Sequence, residues 1–192
     1  DGVRARERVL LAVGCHPVTY SDPFGLCPED VGGDGKTDKV TDCPREVMEK
    51  WATSHITITA RGGTDFDGID PDLWNAVVWA SMELRVSLGI SGAKEGGHSI
   101  EGRHAVGGAV DINTVNGVRF GAMPFDIAAN VSGVVARTIS SFLPENNKPI
   151  MIYTPGSAFR TTRPMTAEQR AKLLQMHRTH IHITVPGRGA QQ

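Results

Sequence analysis

Two short stretches constrain this chain more than any others: His104-Ala-Val-Gly-Gly-Ala-Val-Asp111 and His180-Ile-His182. Together they supply imidazoles and one carboxylate at spacings that suit a catalytic zinc ion, which takes three protein ligands and leaves one position open. Side chains on a strand alternate between faces, so His180 and His182 are expected on the same side. One of that pair can then bind metal while the other faces a substrate. Three of the seven histidines fall between positions 177 and 182. A single histidine there would read as a satisfied surface or core residue, but three beside a separate His/Asp pair point to a metal site. His104 and Asp111 can both turn inward where a loop runs into a strand. The small residues Gly107, Gly108 and Ala109 between them allow close backbone approach.

The surrounding pattern predicts an α+β fold: a small antiparallel sheet flanked by helices. Arg45 to Ala52 suits a short helix, and His55 to Ala60 alternates like a strand. Asp70-Pro71 supplies an N-cap and a proline at the first helical position, opening a buried helix to about Ser87. Leu88 to Ser91 and Ala109 to Asn113 read as strands, separated by a glycine-rich loop from Gly92 to Gly102. Asn116-Gly117 is a hairpin signal. A long helix follows from Pro124 to Phe142, then a strand from Pro149 to Tyr153. Thr166-Ala-Glu-Gln169 is a capping box that starts a helix to about Met176. Thr179 to Val185 forms the closing strand. The stretches from Glu145 to Lys148 and Thr154 to Arg163 read as loops.

Residues 1–45 differ in texture, being rich in Gly, Asp, Pro and Cys, and form an irregular leader to a domain over 46–192. Asp30, Asp34 and Asp38 with Gly35 echo a calcium loop, so Ca2+ is a candidate ligand there. Thr41 stands where a bidentate glutamate belongs, which favours a solvated Asp/Gly turn. Cys27 and Cys43 can bridge, leaving Cys15 over, or all three can stay as thiols. A net charge of -1 with dispersed Lys and Arg carries no footprint for nucleic acid or an anionic membrane. No apolar run approaches the roughly 20 residues that span a bilayer. Val9 to Val13 is too short for the core of a signal peptide, so an export signal is expected upstream of this stretch or not as a simple leader.

Two resemblances add to this reading. Pro17-Val-Thr-Tyr-Ser-Asp-Pro-Phe-Gly-Leu26 resembles the "NPVxYxDPxGL" segment that closes the core of Rhs/YD-repeat proteins, after which a variable C-terminal domain begins. Gly102-Arg-His104-Ala-Val-Gly107-Gly-Ala109-Val-Asp111 resembles the "SxHxxGxAxD" signature of LAS-type zinc peptidases, and His180-Ile-His182 resembles their His-x-His motif. That group includes D-alanyl-D-alanine carboxypeptidases, murein endopeptidases and the zinc fold of Hedgehog signalling domains. The likeness implies a LAS/Hedgehog-like fold and one zinc per chain, held by His104, Asp111 and His182. It implies that His180 stands beside the attacking water, and His177 matches a further histidine of the murein endopeptidases. Three positions depart from the pattern. Gly102 replaces the serine, Lys94 fills the slot of a substrate-binding arginine, and Thr179 stands where some zinc peptidases carry a glutamate base. Base duty then falls on His180, aided by His177, while Lys94 or Arg103 neutralises the substrate or the tetrahedral intermediate. Arg160 and Arg163 are alternative clamps.

The expected activity is zinc-dependent hydrolysis of peptide bonds in peptidoglycan stems or cross-links. The expected setting is a domain secreted or delivered to the bacterial periplasm or cell wall. If the Rhs-like segment is genuine, the chain is the C-terminal effector of a toxin, with an immunity protein as partner. The alternative is a zinc-containing binding module of the same fold without catalysis.

Overall fold

The computed structural model describes residues 45–58, 69–92, 103–159 and 166–186. Within them the elements run α1 (Arg45–His55), β1 (Ile56–Ile58), α2 (Pro71–Leu84), β2 (Leu88–Gly92), β3 (Ala109–Val115) and β4 (Val118–Arg119). They continue as α3 (Phe125–Phe142), β5 (Met151–Thr154), β6 (Ser157–Phe159), α4 (Ala167–Met176) and β7 (Ile181–Thr184). The strands form one sheet in the order β1-β2-β3-β7-β5-β6, with β4 paired to β3. This is an α+β architecture with a mixed sheet. The expectation of a wholly antiparallel sheet is corrected at one edge, where β1 and β2 are parallel. Parallel neighbours need a long crossover, and α2 supplies it. The remaining pairs are antiparallel.

Alternation along the strands sets which face is apolar. Ile90, Ile112 and Ile181 stand opposite one another across β2, β3 and β7, as do Val110, Ile183 and Ile152 across β3, β7 and β5. Directly paired residues share a face. All six belong to one core cluster with Trp51 of α1, Leu73 and Val77 of α2, and Val131, Val135 and Ile139 of α3. Burial of such side chains contributes about 1.5–3 kcal/mol each, which fixes the register and therefore what the other face displays. Between α1 and α2, Trp51 Nε1 donates to buried Ser81 Oγ at 2.9 Å.

Several local signals hold. Asp70 caps α2, its carboxylate accepting from the backbone N–H groups of Asp72 and Leu73. The Thr166 capping box is complete at the start of α4. Asn116 and Gly117 both take positive φ, 50° and 75°, joining β3 to β4. Other boundaries move. α2 ends at Leu84, short of Ser87, because Arg85 adopts the left-handed conformation and donates its N–H to Met82 and Ser81 carbonyls. Arginine is not the residue that usually announces such a cap. The segment read as a loop from Thr154 contains a hairpin, with Thr154 opposite Ser157 across Pro155-Gly156. β7 begins at Ile181, so His180 sits just before the strand and not inside it.

Of the leader over 1–45, only Arg45 lies among the described residues. The candidate calcium ligands Asp30, Asp34 and Asp38 and all three cysteines lie outside them. No helix among the described residues is long and apolar enough to cross a membrane.

Candidate metal centre

One row across the sheet carries the site. Gly92, Asp111, His182 and Tyr153 stand opposite one another on β2, β3, β7 and β5. Val110 and Ile112 beside Asp111, Ile181 and Ile183 beside His182, and Ile152 beside Tyr153 point into the core, so this row faces the other way. His104 joins it from a 3-10 turn over Arg103–Val106. Backbone bonds pin that turn: Gly107 donates to the His104 carbonyl at 3.0 Å, and Asp70 donates to the Gly107 carbonyl at 2.8 Å. Val185 donates to the Gly108 carbonyl at 2.9 Å, tying the start of β3 to the end of β7. Gly107 takes φ of 74°, a conformation that suits glycine. Asn147 braces the same corner, donating from Nδ2 to Asp70 Oδ1 at 2.9 Å and to Asp72 Oδ2 at 3.2 Å.

The ligand atoms converge. His104 Nε2 lies 3.4 Å from His182 Nδ1 and 3.5 Å from Asp111 Oδ2. His182 Nδ1 lies 2.7 Å from Asp111 Oδ1. One donor atom from each residue falls within 4.8 Å of the others, so His104, Asp111 and His182 form a group able to hold a metal ion. Zinc bonds of 2.0–2.1 Å in tetrahedral array would separate neighbouring donors by about 3.3 Å, close to the two longer separations. Two imidazoles and a carboxylate suit a transition ion, whereas calcium takes oxygen ligands. The residues present fit a zinc-type ion.

The environment sustains the ligand states. Burial pushes the Asp111 carboxyl upward, but hydrogen bonds with His104 and His182, and their charge, outweigh it and hold the group well below the usual carboxylate range. Asp111 is therefore an anion at neutral pH. The far nitrogen of His182, Nε2, lies 2.7 Å from buried Thr184 Oγ1. When Nδ1 is a metal ligand, Nε2–H donates to that hydroxyl, fixing tautomer and ring orientation. Gly92 makes room for the carboxylate: a Cβ there would stand 2.5 Å from Asp111 Oδ2.

His180 and His177 border this group. His180 Nε2 lies 3.8 Å from Asp111 Oδ1, and its side chain is 22% exposed where that of Asp111 is 9%. His177 caps the end of α4. Its Nδ1 lies 2.7 Å from the Leu173 carbonyl, which can only accept, so Nδ1 carries the proton and the neutral ring keeps its lone pair on Nε2. Burial pushes the His177 pKa down to about 4, with nearby His182 and His180 adding to the effect against the opposing Leu173 bond and Asp111 charge. The ring stacks on Tyr153, centroids 4.6 Å apart, and lies 5.0 Å and 5.1 Å from the rings of His180 and His182.

The fold therefore brings together His104, Asp111, His182, His180 and His177 from the sequence reading. Lys94, Arg160 and Arg163 lie outside the described residues, as does the side chain of Arg103. Gly92, Tyr153 and Thr184 were not anticipated. Thr184 was within reach, since it stands two residues from His182 on a strand. The other two owe their places to register across strands, which sequence does not display. No family model, curated protein or solved structure matches the chain.

Proposed function

We propose that this chain is a zinc-dependent peptidase domain that hydrolyses peptide bonds in the stems or cross-links of peptidoglycan. The convergence of His104, Asp111 and His182, with two further imidazoles at the edge of the same group, carries this reading. Three ligands leave a position open, as catalytic zinc sites do, whereas closed structural sites use four. Bound zinc would acidify a water and polarise the scissile carbonyl. The anionic Asp111 would hold the ion together with His104 Nε2 and His182 Nδ1, whose close approach to the carboxylate already gathers the three donor atoms. His180, more open to solvent than the ligands, takes a proton from the attacking water and returns it to the leaving amine. His177, neutral and anchored through Nδ1, presents Nε2 as a second proton acceptor. The LAS-like motifs and the His-x-x-His-x-His spacing supply the substrate class, and the Rhs-like segment at Pro17 to Leu26 supports the setting. In that setting the chain is a C-terminal effector delivered to a bacterial periplasm or cell wall, with an immunity protein as its partner.

The test is release of peptides from purified peptidoglycan by zinc-loaded protein, beside a chelated sample and a His180→Ala variant that retains zinc. Release that requires zinc and falls with His180→Ala supports the peptidase. One bound zinc without release from several wall types favours the binding module, and absence of zinc binding refutes both.

A further inference from the structure

A second polar row crosses the same face of the sheet. Thr57, Gly89, Thr114 and Arg119 stand opposite one another on β1, β2, β3 and β4. Regular alternation would bury Thr114 with Ile112. A register shift in the β2–β3 pair prevents this: Gly89 faces Thr114 while Ile90 faces Ile112, leaving Asn113 without an opposite residue. Such a bulge turns the strand and re-aims a side chain. Beyond it Val115 returns to the core and Thr114 shares a face with Asp111.

The result is a cleft of about 280 Å³ whose lining includes all four members of the row together with Ser87 and Asn113. Its floor requires glycine, because a side chain at Gly89 would collide with the Thr114 hydroxyl and stand 3.3 Å from Asn113 Oδ1. Its rim is braced. Asn116 Oδ1 accepts from the Ser87 N–H at 2.8 Å, and the Asn116 N–H donates to the Ser87 carbonyl at 2.8 Å. Asn113 also lines it, with its Oδ1 buried beneath the surface and without a hydrogen-bond partner, as no other buried side-chain polar atom among the described residues is. A buried acceptor left unmade is costly, and natural folds keep few of them. Arg119 makes no ion pair among the described residues, and its side chain is exposed.

We propose that this cleft is a ligand subsite that takes a carboxylate at Arg119, with the hydroxyl-bearing residues Thr57, Ser87 and Thr114 lining the approach to it. Guanidinium and carboxylate match in geometry as well as charge. Three residues of strand separate Asp111 from Thr114, about 10 Å of sheet, the span of about three extended peptide residues. A peptide held at the metal group and running along β3 would bring an acidic side chain or terminus to Arg119. The subsite thus selects peptides with a carboxylate about three residues from the metal-bound end. It rests on the peptidase reading for the ligand being a peptide.

The experiment titrates the full chain, with and without zinc, with N-acetyl-Ala-Glu-Ala-amide and with its glutamine counterpart. Binding is read calorimetrically and through the backbone amide resonances of Asn113, Thr114 and Gly117. The glutamate peptide is expected to bind about tenfold more tightly, a preference that Arg119→Gln abolishes and Arg119→Lys retains in part. Asn113→Ala should keep the preference while leaving the unfolding midpoint unchanged or higher, since it removes an unpaired acceptor buried beneath the cleft. Equal binding of the two peptides, or a preference that survives Arg119→Gln, overturns the subsite. Loss of hydrolysis with the preference intact refutes only the peptidase. Hydrolysis without the preference refutes only the cleft.

Discussion

Gly92→Ala tests the metal centre at a residue that bears no ligand. The added methyl would stand 2.5 Å from Asp111 Oδ2, 3.0 Å from its Cβ and 3.1 Å from its Cγ. Ordinary contact begins near 3.4 Å, so the carboxylate oxygen must retreat by about 0.9 Å. Metal–ligand distances tolerate about 0.2 Å. The carboxylate can rotate away from His104 and His182, or β2 can move from β3, but neither keeps the group as it stands. Changes to residues that hold a ligand in place ordinarily cost about 10–100-fold in metal affinity, or about 1.4–2.7 kcal/mol, and that is the expected loss here. Overpacking of the sheet should cost a further 1–3 kcal/mol or so of stability, which the fold can bear. Zinc affinity would be measured by competition with a chromophoric chelator, and thermal unfolding of the metal-free variant would report the fold. A folded Gly92→Ala protein that holds zinc within about twofold of wild type would refute the reasoning. Either Asp111 is then no ligand, or Gly92 does not set its position.

Two further predictions concern the groups around the ligands. Thr184→Val keeps the buried shape but removes the hydroxyl 2.7 Å from His182 Nε2, so zinc affinity should fall about tenfold in the same competition assay; unchanged affinity would show that Thr184 does not orient the ring. His177 titrates near 6.5 when unfolded and about 4 when folded, so the unfolded chain binds the extra proton between those values. Its contribution to the stability of the metal-free protein is full above pH 6.5 and is lost as pH falls toward 4. Urea unfolding at a series of pH values should show a slope in this window that His177→Gln reduces. The difference stays below about 1.4 kcal/mol per pH unit because solvent screens a partly exposed ring. Equal slopes in the two proteins would refute the assignment.

The sequence carried the helices well because their ends are written in local chemistry. Asp70-Pro71 and Thr166-to-Gln169 satisfy unpaired backbone groups with side chains a few residues away, and both act as read. It carried the core too, since Leu73, Val77, Ile90 and Ile112 are apolar at the positions that turn inward. It failed where conformation departs from the residue that usually signals it, as at Arg85, whose left-handed cap ended α2 early. It also missed that β1 runs parallel to β2, because strand direction depends on how α2 crosses the sheet and not on alternation within either strand.

The candidate metal ligands were legible for a reason that does not extend to their surroundings. His104, Asp111 and His182 are chemically conspicuous, so spacing alone drew attention to them. What makes them a site is the register that sets Asp111 between Gly92 and His182, and register is a relation between strands. The same relation hides the second row. Read with regular alternation, Asn113 shares a face with Asp111, and Thr114 belongs to the core with Ile112. The bulge reverses Thr114, restores Val115 to the core and leaves Asn113 with its acceptor buried. The irregularity that defeats a periodic reading therefore aligns Thr114 with Arg119 and extends the polar face away from the metal group. An insertion or deletion in β3 between Ile112 and Val115 would undo that alignment while leaving His104, Asp111 and His182 paired as they are. Metal binding and selection of acidic peptides should therefore separate under such a change.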